Sequence, residues 1–246
     1  MAIEIKIVIP SYKRAERVKT LDIISGIVCV PESEIKMYQE HNPDAEIMGH
    51  PDTVKGLALK RQWIYEKFGN VFMIDDDIAQ VQKLHTELDE RSMCTPEEIY
   101  DMIQFAGNMA HMTGAYLFGF SKNPRPEYYN EFKPFEMTGY ITGCAMGMLK
   151  DSGLYFIKET VAVEDYWISC LNAFHNRIIF KDTRFYFEQE KTFTNAGGLS
   201  DYRTTETEKE DTLFLRKKFG EVIQMKKYGF NAKRTHEFQR SMKIPF

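Results

Sequence analysis

NVFMIDDD, residues 70–77, is the stretch on which the rest of the chain turns. Four consecutive apolar residues, Val71 to Ile74, with no polar position among them, fit a strand buried on both faces, as in the interior of a parallel sheet. Three aspartates follow at once. Adjacent like charges repel and carboxylates withdrawn from water are costly, so Asp75-Asp76-Asp77 at the end of a core strand calls for a cation. Mg2+ or Mn2+ suits it, because hard divalent ions take oxygen ligands and complete their shell with phosphates and water. A solvated acidic turn is the competing reading. An EF-hand loop counted from Asp75 fails, since Gln80 and Thr86 stand where glycine and glutamate are required. A phosphatase motif of the type DxDx(T/V) fails at Ala79.

Upstream of this stretch, Gly56 opens a helix that runs to Phe68 and stops at Gly69-Asn70. IEIKIVIP (3–10), IVCV (27–30) and AEIMG (45–49) read as strands, with helices expected over residues 15–26 and within 34–43. This alternation predicts an α/β, Rossmann-like, open and mostly parallel sheet flanked by helices. Ligands bind such sheets outside the carboxyl ends of the strands, which puts Ser11–Arg14 and Asp75–Asp77 on one cleft. Downstream, Thr95-Pro96 with Glu97-Glu98 starts a helix to Met112. Residues 121–136 read as a polar loop, and TGYITGCAMGML (138–149) mixes glycine with apolar residues as backbone beside a ligand does. A helix over 166–172, one or two strands in RIIFKDTRFYFE (177–188), a turn at Asn195-Ala196-Gly197-Gly198 and a helix over 211–227 complete the reading.

Glu164-Asp165 is the second acidic pair. It suits either a helix start, where the dipole favours negative charge, or a general base that removes a hydroxyl proton as a bond forms. Arg14, Arg17, Lys60 and Arg61 lie where they could meet phosphate. The loop PSYKRAER after the first strand lacks the glycines of a phosphate cradle, which weighs against kinase, NTPase and nucleotidyltransferase chemistry.

Bulk composition fits these elements. Of 246 residues, 43% are hydrophobic and 28% charged, enough apolar content for a folded core. No signal-peptide pattern opens the chain and no apolar run approaches ~20 residues, so a cytoplasmic protein is expected. The cysteines (Cys29, Cys94, Cys144, Cys170) are far apart and read as free thiols. Charge is uneven: residues 216–246 hold nine Lys/Arg and two acids, a net +7 that leaves −11 for the rest of a chain of formal charge −4. Phe219, Tyr228, Phe230 and Phe238 interleave with those basic residues. The segment is read either as a nucleic-acid surface or as a solvated helix with its aromatics packed inward.

IVIPSYKR, GLALKRQWIYEKFG running into VFMIDDDI, TGCAMGMLKDSG and VAVEDYWISCL, in that order, resemble a GT-A-fold glycosyltransferase over residues 3 to about 190. Among these enzymes the chain is most similar to the phage TET-associated glycosyltransferases, which decorate hydroxymethylated pyrimidines in DNA. The resemblance implies a nucleoside diphosphate sugar donor, Mn2+ or Mg2+, and a DNA acceptor reached through the basic C-terminal segment. It implies a transferase domain over 1–215 with residues 216–246 packed on it. Pro10, Ser11, Tyr12, Arg14, Lys60, Arg61, Asp75 and Asp76 would meet the nucleotide, and Gly143 the donor sugar. Asp75 and Asp77 would hold the metal. Asp165 would be the base of an inverting reaction, with Glu164 beside it. Many such enzymes add a late histidine to the metal. Here Glu188, Asn195 or water would take its place. Polysaccharide or lipid-linked glycan acceptors, and a non-catalytic nucleic-acid module, are the alternatives.

Overall fold

The computed structural model describes residues 2–87, 92–190, 204–225, 238 and 240–244. The stretch VFMI forms β4 (Val71–Ile74), and all four side chains are 0% exposed. It pairs in parallel with β1 (Lys6–Pro10), which pairs with β2 (Ile27–Pro31), which pairs with β3 (Glu46–His50). The other strands are β5 (Ile78–Lys83), β6 (Leu117–Ser121), β7 (Phe135–Glu136), β8 (Ala145–Met148) and β9 (Phe180–Gln189). Their order is β3-β2-β1-β4-β8-β6-β9-β5, with β7 also on β9. β8 is antiparallel to β4 and β6, β9 is parallel to β6, and β5 and β7 oppose β9. Six of these nine strands therefore share one direction, which is the expected α/β architecture.

Helices cover both faces, and that double cover is why β4 carries no polar position. Phe72 and Ile74 face a core shared with Ile99, Ile103 and Ala106 of α3 (Pro96–Thr113). Val71 and Met73 face the opposite core with Ile64 of α2 (Leu57–Phe68) and Ile168 of α4 (Glu164–His175). The rings of Phe118, Phe120 and Phe187 surround Phe72 at centroid distances of 5.9, 5.7 and 5.8 Å. Gly147 of β8 serves this core rather than a ligand: a Cβ there would stand 2.0 Å from the Phe118 ring. Thr95 and Glu98 close a capping box on α3.

Several elements differ from the sequence reading. Residues 15–26 form two 3-10 turns, Ala15–Arg17 and Lys19–Asp22, instead of one helix. Thr20 explains the break: its hydroxyl donates to the Asp75 carbonyl (2.5 Å) and accepts from the Ile78 amide (3.1 Å), drawing this segment onto the aspartate loop. β5 and β6 were not foreseen. Residues 34–43 yield the short α1 (Ile35–His41), and RIIFKDTRFYFE yields the single strand β9. The helix expected over 211–227 is α5 (Thr205–Phe219), begun at the Thr204 cap and ended by Gly220 at φ +62°. Beyond it, β10 (Ile223–Met225) pairs with β11 (Arg240–Met242). All four cysteines are free thiols, and no helix among the described residues is long and apolar enough to cross a membrane.

Candidate functional site

A cavity of about 1170 Å3 opens at the carboxyl ends of β1 to β4. Pro10, Ser11, Tyr12 and Arg14 form one wall, Lys60 and the three aspartates the floor, and Gly143, Glu164 and Asp165 the opposite wall. The topology accounts for the meeting. β8 runs against β4, so the residues that precede it arrive where β4 ends, and the Asp75 amide donates to the Cys144 carbonyl at 2.9 Å. β9 brings its own carboxyl end to the same edge, where the Glu190 amide donates to the Asp77 carbonyl at 2.9 Å.

The three aspartates have separate environments. Asp76 turns into the β1 loop and spends both oxygens there, on the Ser11 hydroxyl (2.5 Å) and the Arg14 guanidinium (2.7 Å). Tyr38 completes this knot through Ser11 Oγ (2.7 Å) and the Arg14 amide (3.0 Å). Asp76, expected at the nucleotide, thus holds the β1 loop that forms this wall of the cavity. Asp75 accepts from Arg61 Nη2 at 2.8 Å, while Asp77 lies 3.4 Å from Arg14. Asp75 Oδ2 and Asp77 Oδ1 aim at one atom, Gln189 Nε2, at 3.2 and 3.1 Å. Burial pushes the Asp75 carboxyl up to about 8, opposed by Arg61, and raises Asp77 with help from Asp76.

Arg61 corrects the sequence reading. It does not line the cavity but lies behind it, 0% exposed, because the second turn of α2 points it into the protein. One guanidinium there serves two acids, with Nη2 on Asp75 and Nε 3.7 Å from Glu164 Oε1. Arg17 is exposed and also outside the lining residues. Lys60 does reach the cavity, and its ammonium donates to the Ser11 carbonyl. Burial brings Lys60 down to about 8.

On the opposite wall Glu164 is 5% exposed, and burial raises its carboxyl to about 7 against the pull of Arg61. Asp165 Oδ1 accepts from the Tyr166 amide at 2.7 Å, and Oδ2 accepts from the Tyr140 hydroxyl and the Gly143 amide (3.3 Å). Gly143 is closely bounded: a Cβ would lie 3.2 Å from Glu164 Oε1 and 3.3 Å from Asp165 Cβ. Its lack of a side chain lets the acidic pair approach β8.

A divalent cation fits this donor set. Two carboxylate oxygens from different residues already converge on one weakly positive N–H group, and phosphate and water supply the remaining ligands of such ions. Among the described residues no group of three or more His, Cys, Asp or Glu has the geometry of a metal site. Glu188 faces Gln80 (2.5 Å) instead, and Asn195 lies outside the described residues. Sequence reasoning missed Gln189 and Tyr140, which carry no local signal and act only because β9 ends and β8 begins at this edge.

The basic segment is only partly surface. Arg240 is buried against Glu208 (2.7 Å) and the Tyr166 ring, and Phe219 packs on Trp167, so neither residue is free for a nucleic acid. Burial of Glu208 on α5 demands that cation. Arg216, Lys217 and Lys218 lie in the last turn of α5, which crosses the boundary expected at residue 216. Lys226, Lys227, Tyr228, Phe230, Lys233 and Arg234 lie outside the described residues, as does the turn at 195–198.

Comparison with known proteins adds one decisive match. No curated protein matches the chain. Among solved structures, TarS residues 1–349 of S. aureus is similar at 13% identity with a TM-score of 0.47, over 75% of this chain. The chain spans only 60% of that TarS chain. A CMP:2-keto-3-deoxy-manno-octonic acid synthetase complexed with CTP is similar at 10% identity and a TM-score of 0.37, over 87% of this chain and 100% of that one. The family described as TET-Associated Glycosyltransferase matches residues 5–198, from β1 past the end of β9. That match takes in every strand and side chain that builds the cavity walls described above, and the chain belongs to the TET-associated glycosyltransferase family.

Proposed function

We propose that the chain moves a sugar from a nucleoside diphosphate donor to a hydroxyl acceptor with inversion, and that it depends on a divalent metal. The observation that carries this reading is the Arg61 guanidinium, which ties Asp75 to Glu164 and so sets the convergent carboxylates beside the acidic pair in one cavity. The nucleotide would lie along Pro10–Arg14 and Lys60, with the sugar toward Gly143. Held by Asp75 and Asp77, a Mn2+ or Mg2+ ion would offset the charge of the departing diphosphate.

Asp165 is the base in this scheme. Its three donors hold the carboxylate in one orientation, two of them on Oδ2 and one on Oδ1, which leaves a lone pair on Oδ1 to take the proton. The acceptor oxygen forms its bond to the anomeric carbon as the bond from that carbon to the phosphate oxygen breaks. The acceptor proton passes to Asp165 and then to water, and the nucleoside diphosphate leaves. Glu164, kept from water beside Arg61, fixes the position of its neighbour.

Hydroxymethylated pyrimidine in DNA is the proposed acceptor, on the strength of the family. Lys122, Lys158, Tyr140 and Tyr186 line the same cavity, where the lysines would meet phosphate and the tyrosines would offer ring faces to a base. Transfer from a panel of nucleotide sugars, followed by mass spectrometry of DNA containing hydroxymethylcytosine or hydroxymethyluracil, tests donor and acceptor together. Activity should vanish with a chelator and in Asp77→Ala, and DNA binding should weaken steeply with salt. Turnover unaffected by chelator defeats the metal role, and transfer to a free saccharide or lipid but not to DNA defeats the acceptor.

A further inference from the structure

We infer that Asp211 of α5 is a positioning residue of the transfer site, and that the chain beyond the family match is thereby part of the catalytic machinery. This inference rests on the transferase reading above. Glu164 and Asp165 open α4, and no side chain caps that helix at Val163. The two residues before the cap, Val161 and Ala162, line the cavity. Their backbone N–H groups point at the Asp211 carboxylate: Val161 N reaches both oxygens at 3.2 Å and Ala162 N reaches Oδ2 at 2.8 Å. Asp211 is 2% exposed. A buried carboxylate that accepts from consecutive amides is a strong, directional anchor, because each bond is charge-assisted.

The same stretch of α5 grips the helix it anchors. Trp167 of α4 packs against Phe214 and Phe219 at 6.0 and 5.3 Å. Arg240, paired with Glu208, lies over the Tyr166 ring, and Tyr166 in turn lies 4.9 Å from the ring of Tyr140, whose hydroxyl donates to Asp165. Position therefore runs from Asp211 to the 161–162 amides and onward to the acidic pair, with the Tyr166–Tyr140 contact as a lateral brace. Asp211 lies past residue 198, where the family match ends. It touches neither donor nor acceptor in the scheme above, and it acts only through Glu164 and Asp165.

Asp211→Asn tests this, because it keeps the shape and removes one acceptor oxygen. The wild-type enzyme is assayed first with the donor panel and modified DNA, and absence of any transfer there counts against the transferase reading, not against the anchor. Given wild-type turnover, Asp211→Asn should lower kcat on the order of 100-fold through misplacement of the base, with donor KM and nucleotide Kd within about twofold. Hydrogen exchange should meanwhile accelerate at Val161 and Ala162. Unchanged kcat overturns the inference, and so does a parallel loss of kcat, nucleotide affinity and melting temperature, which marks a plain structural contact. Should Asp211→Asn not fold, Asp211→Glu keeps the charge but shifts the carboxylate by one methylene. The same kcat-selective loss is expected, and unaltered kcat again refutes the anchor.

Discussion

Replacing Arg61 by Met asks how much of the site rests on one buried cation. The guanidinium is 0% exposed and sits 2.8 Å from Asp75 and 3.7 Å from Glu164. Methionine fills much of the same volume, so the packing loss alone should stay below about 1.5 kcal/mol. The electrostatic loss is larger, because two buried carboxylates lose their shared partner. Removing one member of a buried pair typically costs about 3–5 kcal/mol. For a chain of this size that corresponds to a fall in Tm of roughly 6–20 °C. The sign with pH follows from the carboxyls. With Arg61 present, burial already lifts Asp75 to about 8 and Glu164 to about 7 from ordinary values near 4. Without it both rise further, so wild type and variant lose stability alike up to about pH 7, and the variant's deficit relative to wild type grows as pH climbs past about 7 to 8, where only the wild-type carboxyls ionise. Urea denaturation in a chelating buffer at pH 5 and pH 8 measures this directly. The deficit should be largest at pH 8 and shrink to the packing term at pH 5. A deficit that is the same at both values, or below about 1 kcal/mol at pH 8, refutes the shared-cation account.

Glu164→Gln should raise Tm relative to wild type above pH 7 and leave it unchanged near pH 4. The wild-type carboxyl has its folded value raised to about 7, so stability is lost as pH rises between its ordinary value and 7. A pH-independent difference in calorimetry would remove Glu164 from that role. Gly143→Ala places a Cβ at 3.2 Å from Glu164 Oε1 and 3.3 Å from Asp165 Cβ. It should cut kcat by about 10- to 100-fold with little change in Tm, and full activity would show that the acidic pair has room to spare. Phe72→Ala should cost about 3–5 kcal/mol by chemical denaturation, since three aromatic rings close around it, and a loss under 1 kcal/mol would mean the core collapses into the space.

What the sequence disclosed and what it concealed divide along a physical line. Local patterns were readable: the unbroken apolar run of β4, the cap at Thr95 and the glycine stop after Phe68 each act within a few residues, and each appears in place. The cleft shared by Ser11–Arg14 and the aspartates was readable too, because strand direction fixes which loops share an edge. The partners that give those residues their chemistry were not. Gln189 meets Asp75 across 114 residues, and Tyr140 meets Asp165 across 25. Both arrive because β8 and β9 close the sheet beside β4, and β6, which sits between them, was not foreseen at all. Arg61 was placed on the right helix and the wrong side of the wall, since α2 offers Lys60 and Arg61 as neighbours pointing about 100° apart and only packing decides which one faces the cavity. The same blindness hid the aspartates' division of labour: three identical side chains in a row were one motif in sequence, yet the β1 loop claims the middle one while its neighbours turn to Gln189. A triplet of acids therefore fixes where charge gathers. Which of them remains available to a cation is set by the distant residues that reach each carboxylate first.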